Sequence, residues 1–194
     1  MPNWVTNYLT INGEEEQVSA LVAQVSTPYE RSTYDFLKKE RVTWKVERAF
    51  SFWNIVKPTD LKAYEDCEDN PRQEGEGHWY GWNLRNWGVK WDTSEVEITD
   101  RVEGAISYRF DTPWGVPEQV ITTLSEQYPA LEFVLEYEEE TGWGGAIEIK
   151  NGLGIVTEEY DFKCHNCDAT YRNGEQPELN DEGYHACQME ESNA

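Results

Sequence analysis

The residues whose types and spacing could do chemistry lie near the C-terminus, in Cys164-His165-Asn166-Cys167 and Tyr184-His185-Ala186-Cys187. A Cys-x2-Cys turn lets two thiolates reach one ion, and His185 and Cys187, two apart on an extended segment, project to the same side. The seventeen residues between Cys167 and His185 suit a ribbon whose second arm returns to the first. The expected chemistry is a structural Zn2+ held tetrahedrally by Cys164, Cys167, Cys187 and one histidine, either His185 or the rival His165 inside the turn. With four protein ligands no position remains for an activated water. The competing readings are a disulfide between two of these cysteines, and no bond at all. So short and acidic a stretch has no apolar core, so the metal would hold 163–188 folded as a zinc-ribbon-like appendage, with 189–194 a disordered tail.

Carboxylates are the second source of chemistry. Glu138, Glu139, Glu140, Glu158, Glu159 and Asp161 become neighbours if a hairpin joins their segments, and such a cluster could raise a pKa or take a divalent cation, as a carboxylate-dependent hydrolase would require. Solvated faces carry such runs far more often. No Ser-His-Asp arrangement, phosphate-cradling glycine loop or dinucleotide fingerprint accompanies them. Cys67, alone in an acidic stretch, has no neighbouring cation to activate it.

These groups sit in a chain of 194 residues with a formal charge of −22, long enough to bury a core as one domain with a small appendage. A field of that sign repels nucleic acid and attracts basic surfaces. No apolar run approaches the roughly 20 residues of a membrane span, and the N-terminus lacks a basic start and apolar core. The expectation is a cytoplasmic protein with no membrane partner.

Residues 78–92 concentrate Trp79, Trp82, Trp87 and Trp91. Tyr80, Leu84, Trp87 and Trp91 recur at helical spacing, which would place them on one face of a mostly helical segment, and Gly81 and Gly88 weaken that helix and predict a short one ending near Gly88. The run reads as a core plug between layers or, alternatively, as an exposed recognition surface of Trp82, Trp87 and Trp91.

The elements that must position these groups follow from periodicity. Residues 4–11 alternate, with Val5, Leu9 and Ile11 on one face of a first strand, and Val18, Leu21, Val22 and Val25 form the stripe of a helix. Thr27-Pro28 predicts a cap and a second helix over 29–39, with Tyr29, Thr33, Phe36 and Leu37 inward. Residues 42–55 read as extended, and 60–77 as a polar loop with one helical turn over 61–64. Strands follow around Val96 and Ile98 and around Ile106, Tyr108 and Phe110. A helix carries Val120, Ile121 and Leu124, and a strand alternates Leu131, Phe133, Leu135 and Tyr137 with Glu132, Glu136 and Glu138, which gives one wet acidic face. Asn151-Gly152 predicts a two-residue hairpin joining strands at 144–150 and 153–162.

Several ordered blocks resemble a known family. Met1-Pro2-Asn3-Trp4 with Asn7, Leu9 and Gly13 is similar to the opening of the YubB ferredoxin-like domain family of phage- and plasmid-encoded proteins. Trp79, Trp82, Asn86-Trp87-Gly88, Lys90-Trp91-Asp92 and Phe110-Asp111-Thr112-Pro113-Trp114 match its later signatures in order. Phe50-Ser51-Phe52-Trp53-Asn54-Ile55 resembles its next strand, where the family more often shows Asn-Lys-Ile and Pro. The likeness spans about residues 1–150. It implies a ferredoxin-like fold and a mobile-element origin, and it supplies neither catalytic residues nor iron–sulfur ligands.

The combined expectation is an α+β protein. A ferredoxin-like antiparallel sheet over 1–162, with helices on one face and a hairpin extension, carries the zinc-ribbon-like appendage. The expected role is non-enzymatic. A phage or plasmid accessory protein would bind a basic host protein, such as a nucleic-acid-handling or defence factor, through an acidic face built on Glu136, Glu138, Glu139, Glu140, Glu158 and Glu159. It would act as a nucleic-acid mimic or anti-defence inhibitor. The rival readings are a single-stranded nucleic-acid-binding module that stacks bases on exposed aromatics, and the hydrolase.

Overall fold

The computed structural model describes residues 3–35, 37–61, 63–64, 79–164 and 169–172. Cys67, most of the 60–77 loop, His165, Cys167, His185, Cys187 and the 189–194 tail lie outside the described residues.

Strand β1 (Trp4–Asn12) alternates as its sequence requires, with Val5, Asn7, Leu9 and Ile11 buried on one side. Helix α1 (Glu15–Val25) follows, with Glu15 and Glu16 in its first turn, where negative charge suits the helix dipole, and Val18, Leu21 and Val25 buried. The chain then departs into an insertion before β4 (Ser94–Val102) and β5 (Ala105–Pro113). Helix α3 (Glu118–Gln127), strand β6 (Glu132–Glu139) and the hairpin of β7 (Gly144–Lys150) and β8 (Leu153–Tyr160) complete the main body.

Six strands pair antiparallel in the order β4-β5-β1-β6-β7-β8. Its first four members, with α1 and α3 between them in sequence, are the ferredoxin-like βαββαβ unit, and β7 and β8 extend one edge. The hairpin turn falls where Asn151-Gly152 predicts it, with both residues at positive φ (48° and 76°), as a type I′ turn needs.

The insertion is where structure and expectation part. Residues 29–39 are not a helix: β2 (Tyr29–Asp35) pairs with β3 (Glu40–Val46) in a separate two-stranded ribbon, Tyr29 opposite Val46 and Arg31 opposite Trp44. Tyr29, Ser32 and Thr33 are poor helix residues, because aromatic and β-branched side chains lose rotamer freedom there and hydroxyls compete for the backbone. The decisive local signal is Asp35. Its carboxylate accepts from the Leu37 and Lys38 amides (2.9 and 3.1 Å) and starts a turn completed by Lys39 at φ 58°. Leu37, expected inward, is exposed. The extended stretch stops at Val46, and Phe52–Asn54 is a 3-10 turn.

Helix α2 (Trp79–Asn86) stops before Gly88, which sits at φ 83°, and the four residues at helical spacing do not share one environment. Tyr80 and Leu84 are 43% and 39% exposed, while Asn83 and Trp87 are buried. Asn83 is drawn in by hydrogen bonds that a count of apolar residues does not register: it accepts from Tyr64 Oη (2.9 Å) and donates to Lys90 O (2.8 Å). Trp87 is the core plug. Its indole N–H donates to Val56 O (3.1 Å) and its ring lies 6.0 Å from Phe52, which meets Phe110 edge-on at 5.8 Å.

Candidate functional site

The helices share one side of the six-stranded sheet, and among the described residues the other side is bordered by Lys163 and Thr170 near β8 and is otherwise open. Pairing register defines what it carries. One row crosses the strands as Glu97, Arg109, Tyr8, Glu136, Ala146 and Glu158. A second runs Asp111, Thr6, Glu138, and a third Asp100, Ser107, Thr10, Val134, Glu148. Strands lie about 4.8 Å apart, so Glu136 and Glu158 stand roughly 10 Å from one another with only Ala146 between them.

Cations temper this face at its edges. Lys163 Nζ reaches Glu138 Oε2 (3.1 Å), Arg109 reaches Asp111 (3.3 Å), and Lys150 reaches Glu132 (2.8 Å), holding the Glu132 carboxyl below its ordinary pKa. Glu136 and Glu158 have no ion pair among the described residues. Together with Tyr8, Glu138, Tyr160, Lys163 and Thr170 they line a groove of about 420 Å³. Burial, then the Glu138 and Glu158 charges, raise the Tyr160 phenol.

The predicted acidic residues do not all belong to it. Glu136, Glu138 and Glu158 share the open face, and Glu140 sits exposed at the adjoining turn. Glu139 faces the other way, 3% exposed, because its position in β6 has the parity of Phe133, Leu135 and Tyr137. Its carboxylate closes the β6–β7 turn by accepting from the Thr141 amide (2.6 Å) and hydroxyl. Burial alone would raise its pKa, but those bonds and one from the Asn3 side chain outweigh it and hold the carboxyl low. Glu159, opposite Gly145, has the same inward parity at the exposed edge.

The tryptophans separate as well. Trp87 is buried, and Trp82 is half-buried and edge-on to it at 5.7 Å. Trp91 is 40% exposed beside Trp4 and Trp114, with Lys90 Nζ 4.6 Å from its ring. Of the proposed zinc ligands only Cys164 is described: it is buried after β9 (Phe162–Lys163), and its amide donates to Ala169 O (2.9 Å) just before β10 (Thr170–Tyr171). No metal-holding cluster of His, Cys, Asp or Glu occurs among the described residues.

A second concavity, of about 570 Å³, lies where the β2–β3 ribbon, the 3-10 turn and α2 meet the starts of β1 and β4. Sequence reasoning missed it, since its alternating wall of Tyr29, Arg31, Thr33 and of Trp44, Val46, Arg48 exists only once 29–46 is a ribbon. Asp92 ties its parts together, accepting from Tyr29 Oη (3.0 Å), Ser51 Oγ (2.6 Å) and the amides of Phe52 (2.7 Å), Trp53 (3.4 Å) and Thr93 (2.8 Å).

With the geometry in hand, comparison with known proteins adds three findings. Residues 86–186, just over half the chain, match a family model described as the ferredoxin-like domain in Api92-like protein. The crystal structure of the protein api92 from Yersinia pseudotuberculosis is similar, with a TM-score of 0.50 at 10% identity over 91% of this chain and 100% of that one, a likeness of fold alone. No curated protein matches the sequence.

Proposed function

The chain belongs to the family of the ferredoxin-like domain in Api92-like proteins, and from that premise we propose that it is a non-enzymatic binding protein whose open sheet face receives a basic protein partner. The observation that carries this is the acidic row on the side of the sheet away from the helices, above all Glu136 and Glu158, which are held in register by the backbone and form no ion pair among the described residues, with Lys163 of the same groove committed to Glu138. Carboxylates on a rigid sheet need no reorganisation when the partner arrives. Complementary fields steer the encounter and reject acidic competitors.

The finer reading stays with the YubB resemblance: a phage or plasmid accessory protein acting in the host cytoplasm on a nucleic-acid-handling or defence factor, as a mimic of nucleic acid. The sign of the face favours this over base stacking on the sheet, where Tyr8 would be the platform among carboxylates. A structural zinc bound by Cys164, Cys167, His185 and Cys187 belongs to the same proposal. Its support is the spacing of the four residues and the β9–β10 pairing that brings Cys164 beside Ala169. Among the described residues no helix is long and apolar enough to cross a membrane.

The test compares Glu136→Lys/Glu138→Lys/Glu158→Lys with a control of equal charge change placed elsewhere, Glu14→Lys/Glu16→Lys/Glu126→Lys. Both are used as bait in nuclease-treated host lysate. Glu139 is left out, since its buried carboxylate is part of the fold. The face variant should lose the partner that wild type and control retain, with unchanged circular dichroism. Equal retention by both variants would remove the acidic face from consideration, and loss of every partner after nuclease would favour nucleic acid. Elemental analysis of the same preparations should find about one zinc per chain.

A further inference from the structure

Strand β8 ends the six-stranded order, so among the described residues its outer edge pairs with no other strand of that sheet. Soluble proteins blunt such edges with charges, proline or bulges that discourage pairing with another chain. The opposite edge follows that rule: β4 is interrupted by two register shifts against β5 and carries Glu95, Glu97, Asp100 and Arg101. The first half of β8 does not. Residues 153–157 read Leu-Gly-Ile-Val-Thr, with neither charge nor proline, and one register shift, at Thr157, is the strand's sole irregularity.

This edge is bare on both faces. Register places Leu153 and Ile155 on the open face, opposite Lys150 and Glu148, and Gly154 and Val156 on the helix side, opposite Ile149 and Ile147. Leu153, Ile155 and Val156 are 67%, 59% and 56% exposed. Val156 shares the inward parity of Ile147 and Ile149, which are buried, but α3 packs more closely on β7 than on β8. An added strand would meet both the backbone edge and the apolar side chains on either face. The far end of β8 is engaged by its own chain, where the Arg172 side chain donates to Glu159 O (3.0 Å) and the Asp161 amide to Tyr171 O (2.9 Å).

The remaining stretch is complementary to itself. Residues directly opposite in an antiparallel pair share a face. A two-fold axis through Ile155 sets that residue against its own mate and Val156 against Gly154, which has no side chain to obstruct it, and both pairs keep the faces given by the register. Glu158 then falls beside the Asn151-Gly152 turn of the other copy, roughly 20 Å from the other Glu158. An in-register parallel pairing would instead set Glu158 and Glu159 beside their own mates.

We propose that the outer edge of β8 is the interface of a two-fold dimer of this chain, with two six-stranded sheets joined edge to edge. A basic partner finds no charge to recognise between Leu153 and Thr157, whereas a second copy brings the matching apolar strand. Each copy carries −22, so the dimer forms against long-range repulsion and tightens as salt rises, the reverse of a basic partner bound to the acidic face.

Sedimentation equilibrium of the full chain at about 0.1 and 1 M sodium chloride tests it, since the Debye length falls from about 10 to about 3 Å between them. The native chain should dimerise, about tenfold or more tightly at the higher salt. Ile155→Lys lowers the net negative charge of each copy, so charge alone would favour association, yet it should weaken the dimer by about tenfold or more by placing two ammonium groups at the axis. Val102→Lys, the same charge change on the exposed end of β4, should not weaken it. Both replaced side chains are exposed, and circular dichroism confirms that the variants fold. A native chain that stays monomeric at about 200 µM in 1 M salt overturns the proposal, as does a dimer that Ile155→Lys leaves intact. Hydrogen exchange supplies the last arm: protection of every amide from residue 153 to 158, unchanged by dilution, would show that the chain's own remaining residues cover the edge, and would overturn it equally.

Discussion

Replacing Asp92 by alanine tests how the insertion is fastened to the sheet. In the native protein Oδ1 accepts from the Phe52 and Thr93 amides at 2.7 and 2.8 Å, and Oδ2 from Ser51 Oγ, Tyr29 Oη and the Trp53 amide at 2.6, 3.0 and 3.4 Å. Alanine leaves the hydroxyls of Ser51 and Tyr29 with each other, 3.0 Å apart. The Phe52 and Thr93 amides belong to buried residues and lose their acceptor. An unsatisfied buried donor costs about 1–3 kcal/mol, so two cost about 2–6. Relief of the carboxylate's own desolvation brings the net loss to about 2–4 kcal/mol, a large share of the 5–15 typical of a domain. Asparagine behaves differently. Its carbonyl can keep both amides, while its NH2 faces two hydroxyls that can turn and accept and gives up only the long contact from the Trp53 amide, so the loss is about 1 kcal/mol. Urea denaturation followed by tryptophan fluorescence reads the difference: with a slope of about 2 kcal/mol per molar, the midpoint should fall by about 1–2 M in Asp92→Ala and by about 0.5 M in Asp92→Asn. Equal shifts in the two variants, or an alanine shift below about 0.3 M, would refute the account of Asp92 as the fastening.

Two further predictions address groups outside both sites. Tyr108 Oη is buried without a hydrogen-bond partner among the described residues, and burial pushes the phenol up to about 12. Tyr108→Phe should therefore stabilise by about 1 kcal/mol, raising the melting temperature by roughly 2–4 °C in thermal denaturation, and a fall would show that the hydroxyl has a partner. Glu15 is held at about 2 by the Gly104 amide first, then Ser19 and Arg101. A folded pKa below the unfolded value means a contribution present above about pH 4.5 and lost as pH falls towards 2, so Glu15→Gln should flatten the acid limb of stability within that window and leave its slope above pH 5 unchanged.

The part of the fold legible in the sequence is the part built from uniform periods. Leu9, Ile11, Ile106, Tyr108, Phe133 and Leu135 alternate because their strands are half-buried, and the stripes of α1 and α3 repeat because each helix has one dry side. Those periods, with the Asn151-Gly152 turn, suffice for a ferredoxin-like sheet, and they also mark Glu136 and Glu138 as its wet face. Glu139 shows the limit: a run of glutamates reads as one patch, whereas strand parity sends its middle member inward to cap a turn.

The sequence by itself determined the βαββαβ order, the side of the sheet that stays wet and the −22 net charge of the whole chain. Tertiary structure alone decided the insertion. Residues 27–35 contain both a helix start signal, Thr27-Pro28, and strand-forming residues, and the choice falls to pairing of 29–35 with 40–46, a contact outside any local window. That choice sets which tryptophans face the solvent and brings Arg31 over Trp53. The physical reason is that a side chain's neighbours follow from the period of its element, 2.0 or 3.6, and where local preferences compete the period is set by the partner segment.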